Sequence, residues 1–488
     1  MDTILSVILL MLYVIVAGWT AGFHAIRTSG GLSVYAASDR LSAHALGMSA
    51  FSSELGIWLM LAPFLSIFRS FGLLSSYSAL AAAGAGFFLS WCLLAQKMRI
   101  YNEISEPSRT VPSFLARRLK GGTESVRISF GASGAVFCLL YAAAAISMAA
   151  TLMQWMFGIN YTLCVTAAAI LAAAYTIAGG FDSTVNSGIT KAILVTAVLA
   201  VSCISVYLSS QTASGGRDLI TLISGAVRPQ GSWSGALSAA AIGLTFFGSP
   251  SLLRRFMALR RRRDVFSARR AALTLMCIGV LLCAAVCTVA AVGGISVSDG
   301  QTAYSLLYML LRYPLIQAFV TTGALIILIH SAAVQIHMSA GMLSEDCIHT
   351  IYPPRIKAKR KALADTLILA VVTLLAAIAA GFCSNGISLL IYAASGLTAV
   401  FAPTVIGCMF CTGITVKGAV ASAVAGLLSA TAAACFIPGP AGIAVCTAVS
   451  AVTLTVVCLC TKNPYTSQIK SEYERVSLIR KCKGRIFR

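Results

Sequence analysis

Glu54 is the only charge in an apolar stretch from Met48 to Met60. A carboxylate at membrane depth costs about 2.5–3.5 kcal/mol unless something compensates it, so an acid kept there marks a functional site by default. Beside it stand Ser52, Ser53, Gly56 and Trp58, small residues and one aromatic in a sequence able to unwind. Such a spot reads as a polar pocket near the bilayer midplane, where carriers hold their cargo. A second stretch has the same character. Gly243-Leu244-Thr245-Phe246-Phe247-Gly248-Ser249-Pro250 interrupts another apolar run with two glycines and a proline. Two interrupted helices in corresponding positions suggest an inverted repeat with a site between them. Gly243 and Gly248 also have a plain reading, as contact points for neighbouring helices.

The elements that must position these residues are membrane spans. The chain has 488 residues, 58% of them hydrophobic and only 10% charged, a balance foreign to water-soluble chains of this length. Apolar runs of roughly 18 residues or more read as spanning helices, and there are about thirteen. They fall near 3–23, 43–68, 74–96, 129–155, 160–178, 186–209, 235–253, 271–294, 314–343, 363–383, 388–411, 415–436 and 440–461. Segment 1–23 is long and lacks a basic start and a convincing cleavage site, which favours a first helix over a signal peptide. The reading is an all-α polytopic membrane protein. Residues 1–461 form one transmembrane domain with a core of about 43–411, and 462–488 form a basic tail able to make a short surface helix.

The net charge of +21 is unevenly spread. Lys97, Arg99, Arg109, Arg117, Arg118, Lys120 and Arg127 fall in one loop. Arg254, Arg255, Arg260 to Arg263, Arg269 and Arg270 fall in a second, and Arg355, Lys357, Lys359, Arg360 and Lys361 in a third. The tail adds Lys462, Lys470, Arg475, Arg480, Lys481, Lys483, Arg485 and Arg488. With alternating helices these share one side, leaving Arg69, Arg217, Arg228 and Arg312 on the other. The positive-inside rule then puts the N-terminus outside and the C-terminus in the cytoplasm, across the plasma membrane. The Arg254–Arg270 run is flanked by spans and lacks interleaved aromatics, so it does not read as a nucleic-acid patch. Topology and attraction to anionic lipid account for it.

Other classes fall away. Nearly all of the 16 cysteines lie inside spans, where Cys acts as a small hydrophobe, and no metal-ligand spacing appears. No cofactor is expected. No loop holds a soluble domain, and no GxxxxGK[ST] phosphate loop occurs, which argues against ATP-driven transport. Nothing resembles a selectivity filter. His44, His337 and His349 are too scattered for an enzyme's site.

Several motifs carry a resemblance. Gly158-Ile159-Asn160-Tyr161, the run Val165 to Ala174, and Tyr175-Thr176-Ile177-Ala178-Gly179-Gly180-Phe181-Asp182-Ser183 fit one long signature. Ser49-Ala50 to Trp58, Tyr141, Phe247-Gly248-Ser249-Pro250, Arg255-Phe256-Met257-Ala258, Ala268-Arg269-Arg270, Ser344-Glu345-Asp346 and Tyr392-Ala393 support it, with Gly396, Ala399, Phe401 and Pro403 following. On these residues the chain resembles the sodium:solute symporter family, and most of all its bacterial sodium/proline branch. The resemblance implies a five-plus-five inverted-repeat core, leucine-transporter-like, over spans two to eleven. It implies a secondary transporter that imports a small polar solute, such as proline, with a cation. Carried over by position, the solute contacts are Glu54, Gly56, Trp58, Tyr141, Phe246 and Tyr392, with Ser52 alongside. Trp58, Tyr141, Phe246 and Tyr392 each have a plain packing reading as well.

The same resemblance places a sodium site at Ser52 and Leu55, through backbone carbonyls, and at two hydroxyls of span nine. Here span nine reads Ile327 to Ser331; the first hydroxyl is replaced by His330 and the second survives as Ser331. Positions 327, 330, 331 and 334 share one helical face. In span six the family's Thr-Asp pair and following Gln become Ser187, Gly188 and Lys191, so an acid is lost and an ammonium gained. Two unit charges about 4 Å apart interact by about 4 kcal/mol at an effective dielectric near 20, so a neighbouring ammonium repels sodium. The expectation is that Lys191 or His330 stands in for sodium and pairs with Glu54, with protons doing the coupling. Against it, Lys191 could snorkel to the surface and His330 could hydrogen-bond a carbonyl. Sodium symport, proton-coupled or uncoupled carriage, and a non-transporting sensor with a decayed ion site all stay open.

Overall fold

The computed structural model describes residues 41–59, 73–104, 107–213, 233–292, 314–351, 358–383, 385–437 and 439–486, with Ile8 and Met11 besides. Among the described residues every regular element is helical. That follows from the apolar composition, because a backbone in hydrocarbon must satisfy its own hydrogen bonds. Helix α1 runs as Ala43–Ala50, a π-turn Phe51–Leu55 and Gly56–Leu59. Leu73–Leu93 (α2) and Ala95–Ile104 (α3) follow, then Val111–Leu119 (α4) and the long α5, Thr123–Phe157. The stretch Tyr161–Ala213 turns sharply at Gly180, where φ is 57° and ψ −157°. Glycine adopts that backbone without Cβ strain, and it separates α6 from α7.

Helix α8 begins as Trp233–Ala240, tightens to a 3₁₀ turn Ala241–Leu244, resumes over Thr245–Gly248 and stops at Ser249. Pro250–Ala258 (α9) starts afresh from that residue. Then come Asp264–Val292 (α10), and Pro314–Gly341 (α11) with its π-turn Met342–Ile348. Ala358–Gly381 (α12), Gly386–Phe410 (α13), Val416–Phe436 (α14), Ala441–Cys460 (α15) and Thr466–Ile486 (α16) complete the chain.

Burial sorts these helices. The apolar window of α11 is 94% buried and that of α13 83%, against 22% for α15. Helices α5, α11 and α13 therefore form the centre, and α15 turns outward with Val445, Val449, Val452 and Val456 exposed along one face. An apolar stripe of that kind suits lipid.

Ten helices among the described residues are long and apolar enough to cross a membrane. They match ten of the expected spans. The expected span 160–178 appears as the shorter apolar helix Tyr161–Ala174. Span 43–68 is described only to Leu59, and the expected first span 3–23 lies outside the described residues, as do Arg69, Arg217, Arg228 and Arg312.

Several loop assignments need correction. Arg254 and Arg255 belong to α9 and are buried, not surface charges of a loop. Lys97 and Arg118 are buried too. Each has a compensating surface: Lys97 Nζ donates to the Met409 carbonyl at 3.1 Å, and Arg118 lies 4.8 Å from the centroid of the Tyr101 ring. The chain stays helical beyond the expected span 314–343, because the π-turn Met342–Ile348 holds Asp346 against Thr110 and Arg127.

Candidate functional site

Helix α1 does not unwind at Glu54. It widens. The Gly56 N–H reaches back to the Phe51 carbonyl, and the flanking residues stay in the right-handed helical region. Such π-turns recur at functional sites because the extra residue re-aims side chains. The expected free carbonyls at Ser52 and Leu55 are thus replaced by a bulge that turns Glu54 inward. The hydroxyls of Ser52 and Ser53 both donate to the Ser49 carbonyl, and Ser52 also donates to the Gly188 carbonyl of α7 at 3.1 Å.

The partner of Glu54 is the start of α9. Ser249 Oγ donates to Glu54 Oε2 at 2.5 Å, and Ser251 Oγ donates to Oε1. Arg255 Nη1 lies 3.7 Å from Oε1, with both side chains buried. Arg255 is itself fixed: Nη1 donates to the Ser251 carbonyl at 2.9 Å and Nε to Ser49 Oγ at 3.2 Å. Local sequence explains the platform. Ser249 leaves the helical region (φ −72°, ψ 112°), caps α9 by accepting from the Leu252 N–H, and is followed by Pro250 at the first helical position. Proline there loses no intrahelical bond. A carboxylate at a helix N-terminus also gains from the helix dipole.

The break in the second interrupted span is therefore at Ser249-Pro250, and the two glycines serve contact. A Cβ on Gly248 would lie 2.5 Å from the Thr398 Cα of α13, and Gly243 presses on Ala82 of α2.

The candidate residues divide. Trp58 hydrogen-bonds to Tyr141 of α5, and Tyr141 and Cys138 lie within electrostatic reach of Glu54. Gly56 faces Val195 of α7 and Ile327 of α11, since a Cβ there would lie 3.3 and 3.8 Å from their Cγ2 atoms. Leu55, Ile327, His330, Ser331 and Lys191 are all buried nearby on α1, α11 and α7. Phe246 is turned to α2, edge-on to Phe87 at 5.5 Å. Tyr392 is half-buried and meets Phe137 edge-on at 5.8 Å, with Cys435 and Cys446 also near.

The expected Glu54 pairing changes most. A cation the sequence reading did not offer, Arg255, lies 3.7 Å from Glu54 Oε1. Lys191 does not snorkel, being 1% exposed, and with Arg255 it acts electrostatically on His330. Set against a sodium ion, Ser52 Oγ is turned to the Ser49 and Gly188 carbonyls, whereas Ser331 Oγ has no hydrogen-bond partner among the described residues.

Sequence reasoning missed Arg255, Ser249, Ser251 and Cys138 as site residues. It also missed a second buried group, in which the Arg254 guanidinium lies 4.0 Å from the Phe181 ring centroid and His337 stacks on the same ring. The available signal was that Glu54 needs a counter-ion and that Pro250 restarts a helix carrying two arginines.

A model of the sodium:solute symporter family matches residues 34–426. The chain belongs to the sodium:solute symporter family. Membership makes it a cation-coupled solute importer of the membrane. The sodium/proline symporter of Haemophilus influenzae is 25% identical over 411 residues, 80% of each chain. The high-affinity proline transporter PutP of Bacillus subtilis is 25% identical over 423 residues, covering 83% of this chain and 87% of the relative. The substrate-bound outward-open structure of a Na⁺-coupled sialic acid symporter superposes with a TM-score of 0.75 at 13% identity, covering 94% of this chain and 98% of that one. Mhp1, a nucleobase-cation-symport-1 family transporter, gives 0.53 at 13% identity over 90% of this chain and 97% of that one. Both share the leucine-transporter-like fold expected for this member of the family.

Proposed function

We propose that this symporter takes up proline or a similarly small zwitterion, bound beside Glu54 between the π-turn of α1 and the start of α9. The observation that carries the reading is the buried Glu54–Arg255 pair at the junction of the two interrupted helices. A zwitterion matches it charge for charge: an ammonium suits Glu54, and a carboxylate suits Arg255 and the α9 N-terminus. Trp58 and Tyr141 supply an apolar wall with a polar edge. The names of the bacterial relatives point to the same solute. The same reading puts the N-terminus outside and the basic tail in the cytoplasm, with residues 1–461 as the transport domain.

For the coupling ion, the family favours sodium. A specific observation favours a proton. Arg255 lies 3.7 Å from Glu54, and Arg255 and Lys191 both act electrostatically on the neighbouring His330, so positive charge already present opposes a sodium ion there. Uptake of labelled proline into proteoliposomes, with sodium replaced by choline across a pH series, tests both halves. Absence of labelled-proline uptake under every condition removes the solute assignment. Strict sodium dependence without a pH effect removes the proton.

A further inference from the structure

A cavity of about 350 Å³ lies far along the chain from Glu54, where α16 folds against α3 and the end of α13. Lys97, Tyr101, Tyr473, Ser477 and Arg480 line it, and no acid does. Its walls come from separate elements. Helix α16 is held at this end of the bundle by Lys120, whose Nζ lies 2.6 Å from Glu472 Oε1. The wall opposite is Lys97, buried and seated 3.5 Å over the Phe410 ring.

The polar groups have capacity left. The Lys97 ammonium has three protons and gives one to the Met409 carbonyl. Tyr101 Oη accepts from Arg118 Nη2 at 3.4 Å, which leaves its own proton free to donate. Arg480 has no ion pair among the described residues. Two cations, two phenols and a hydroxyl therefore converge on one space that no acid lines. Arginine and lysine together recognise phosphate well, the first through its planar fork and the second as a point charge.

We propose that this cavity binds a phosphate-bearing anion, held by Arg480 and Lys97 and completed by the hydroxyls of Tyr101 and Ser477. The phosphate could come from the headgroup of an anionic lipid or from solution. Its place at the end of the bundle rich in basic residues suits the first source.

The test uses the full-length protein as wild type, Arg480→Glu, Ser477→Ala and Arg475→Gln. Arg475 is an exposed cation on the same helix outside the cavity, so it reports diffuse attraction. One arm measures phosphatidylglycerol retained from nanodiscs by native mass spectrometry, with phosphatidylcholine as comparison. The other titrates inorganic phosphate and follows thermal unfolding. The expected result is preferential retention of phosphatidylglycerol, reduced at least about fivefold by Arg480→Glu and unchanged by Arg475→Gln. Saturable stabilisation by inorganic phosphate, lost in Arg480→Glu, identifies the soluble source. Equal losses in Arg480→Glu and Arg475→Gln, or no binding of either probe, overturn the proposal. Because Arg480 and Ser477 are not core residues, their variants fold, and the wild-type unfolding profile without ligand checks this.

Discussion

Arg255 Nη1 lies 3.7 Å from Glu54 Oε1 inside the bundle, joining a π-turn in α1 to the first turn of α9. Two serine hydroxyls complete the carboxylate's shell. The pair links the two interrupted helices directly, so movement of either helix must break or carry it.

Removing one partner leaves a buried charge uncompensated, which costs about 3–5 kcal/mol. Arg255→Met should therefore lower the unfolding temperature clearly. The double variant Glu54→Gln/Arg255→Met should recover most of that loss. Neither Glu54→Gln nor the double variant should accumulate proline above background. Thermal unfolding read alongside uptake separates the two effects; normal transport by the double variant would remove the pair from the mechanism.

Tyr141→Phe deletes the acceptor of the Trp58 hydrogen bond. A bond of this kind contributes about 0.5–1.5 kcal/mol. The apparent KM for the solute should rise between about twofold and tenfold, with the unfolding temperature little changed. Uptake kinetics over a solute series check it.

His330→Ser restores two adjacent hydroxyls with Ser331, whose Oγ is without a hydrogen-bond partner among the described residues. If the imidazole and Lys191 replace a sodium ion, the variants His330→Ser and His330→Ser/Lys191→Gln should show a stepwise gain in sodium stimulation and a loss of pH dependence. Uptake at fixed membrane potential, with and without sodium, measures this. Identical ion dependence in wild type and both variants would rule it out.

At the far end of α11, Asp346 accepts from Thr110 Oγ1 at 2.8 Å and from Arg127 Nε at 3.3 Å. Arg127→Ala should cost about 1.5–3 kcal/mol, the value of a hydrogen bond to a charged group. It should leave the solute KM unchanged, because this contact belongs to α4, α5 and the π-turn after α11. A changed KM with unaltered stability would contradict that division.

The sequence by itself determined the class of protein. Some twenty apolar residues in a row cross a bilayer as a helix whatever their neighbours, since no other backbone state satisfies its hydrogen bonds in lipid. Ten of the expected spans are therefore legible segment by segment. Glu54 also stood out alone, because its cost is local. Its counter-ion did not. Arg255 carries the same sequence signal as Arg260 to Arg263, a basic residue near the end of a span, yet it is buried whereas Arg260 is exposed. Only the packing of α9 beneath α1 decides between them. The fate of the glycines is similar: Gly248 meets α13 and Gly243 meets α2, while the break falls at Ser249. Hydropathy sums over neighbours in the chain. Charge pairing and close approach depend on neighbours in space, and those are set by the tertiary fold.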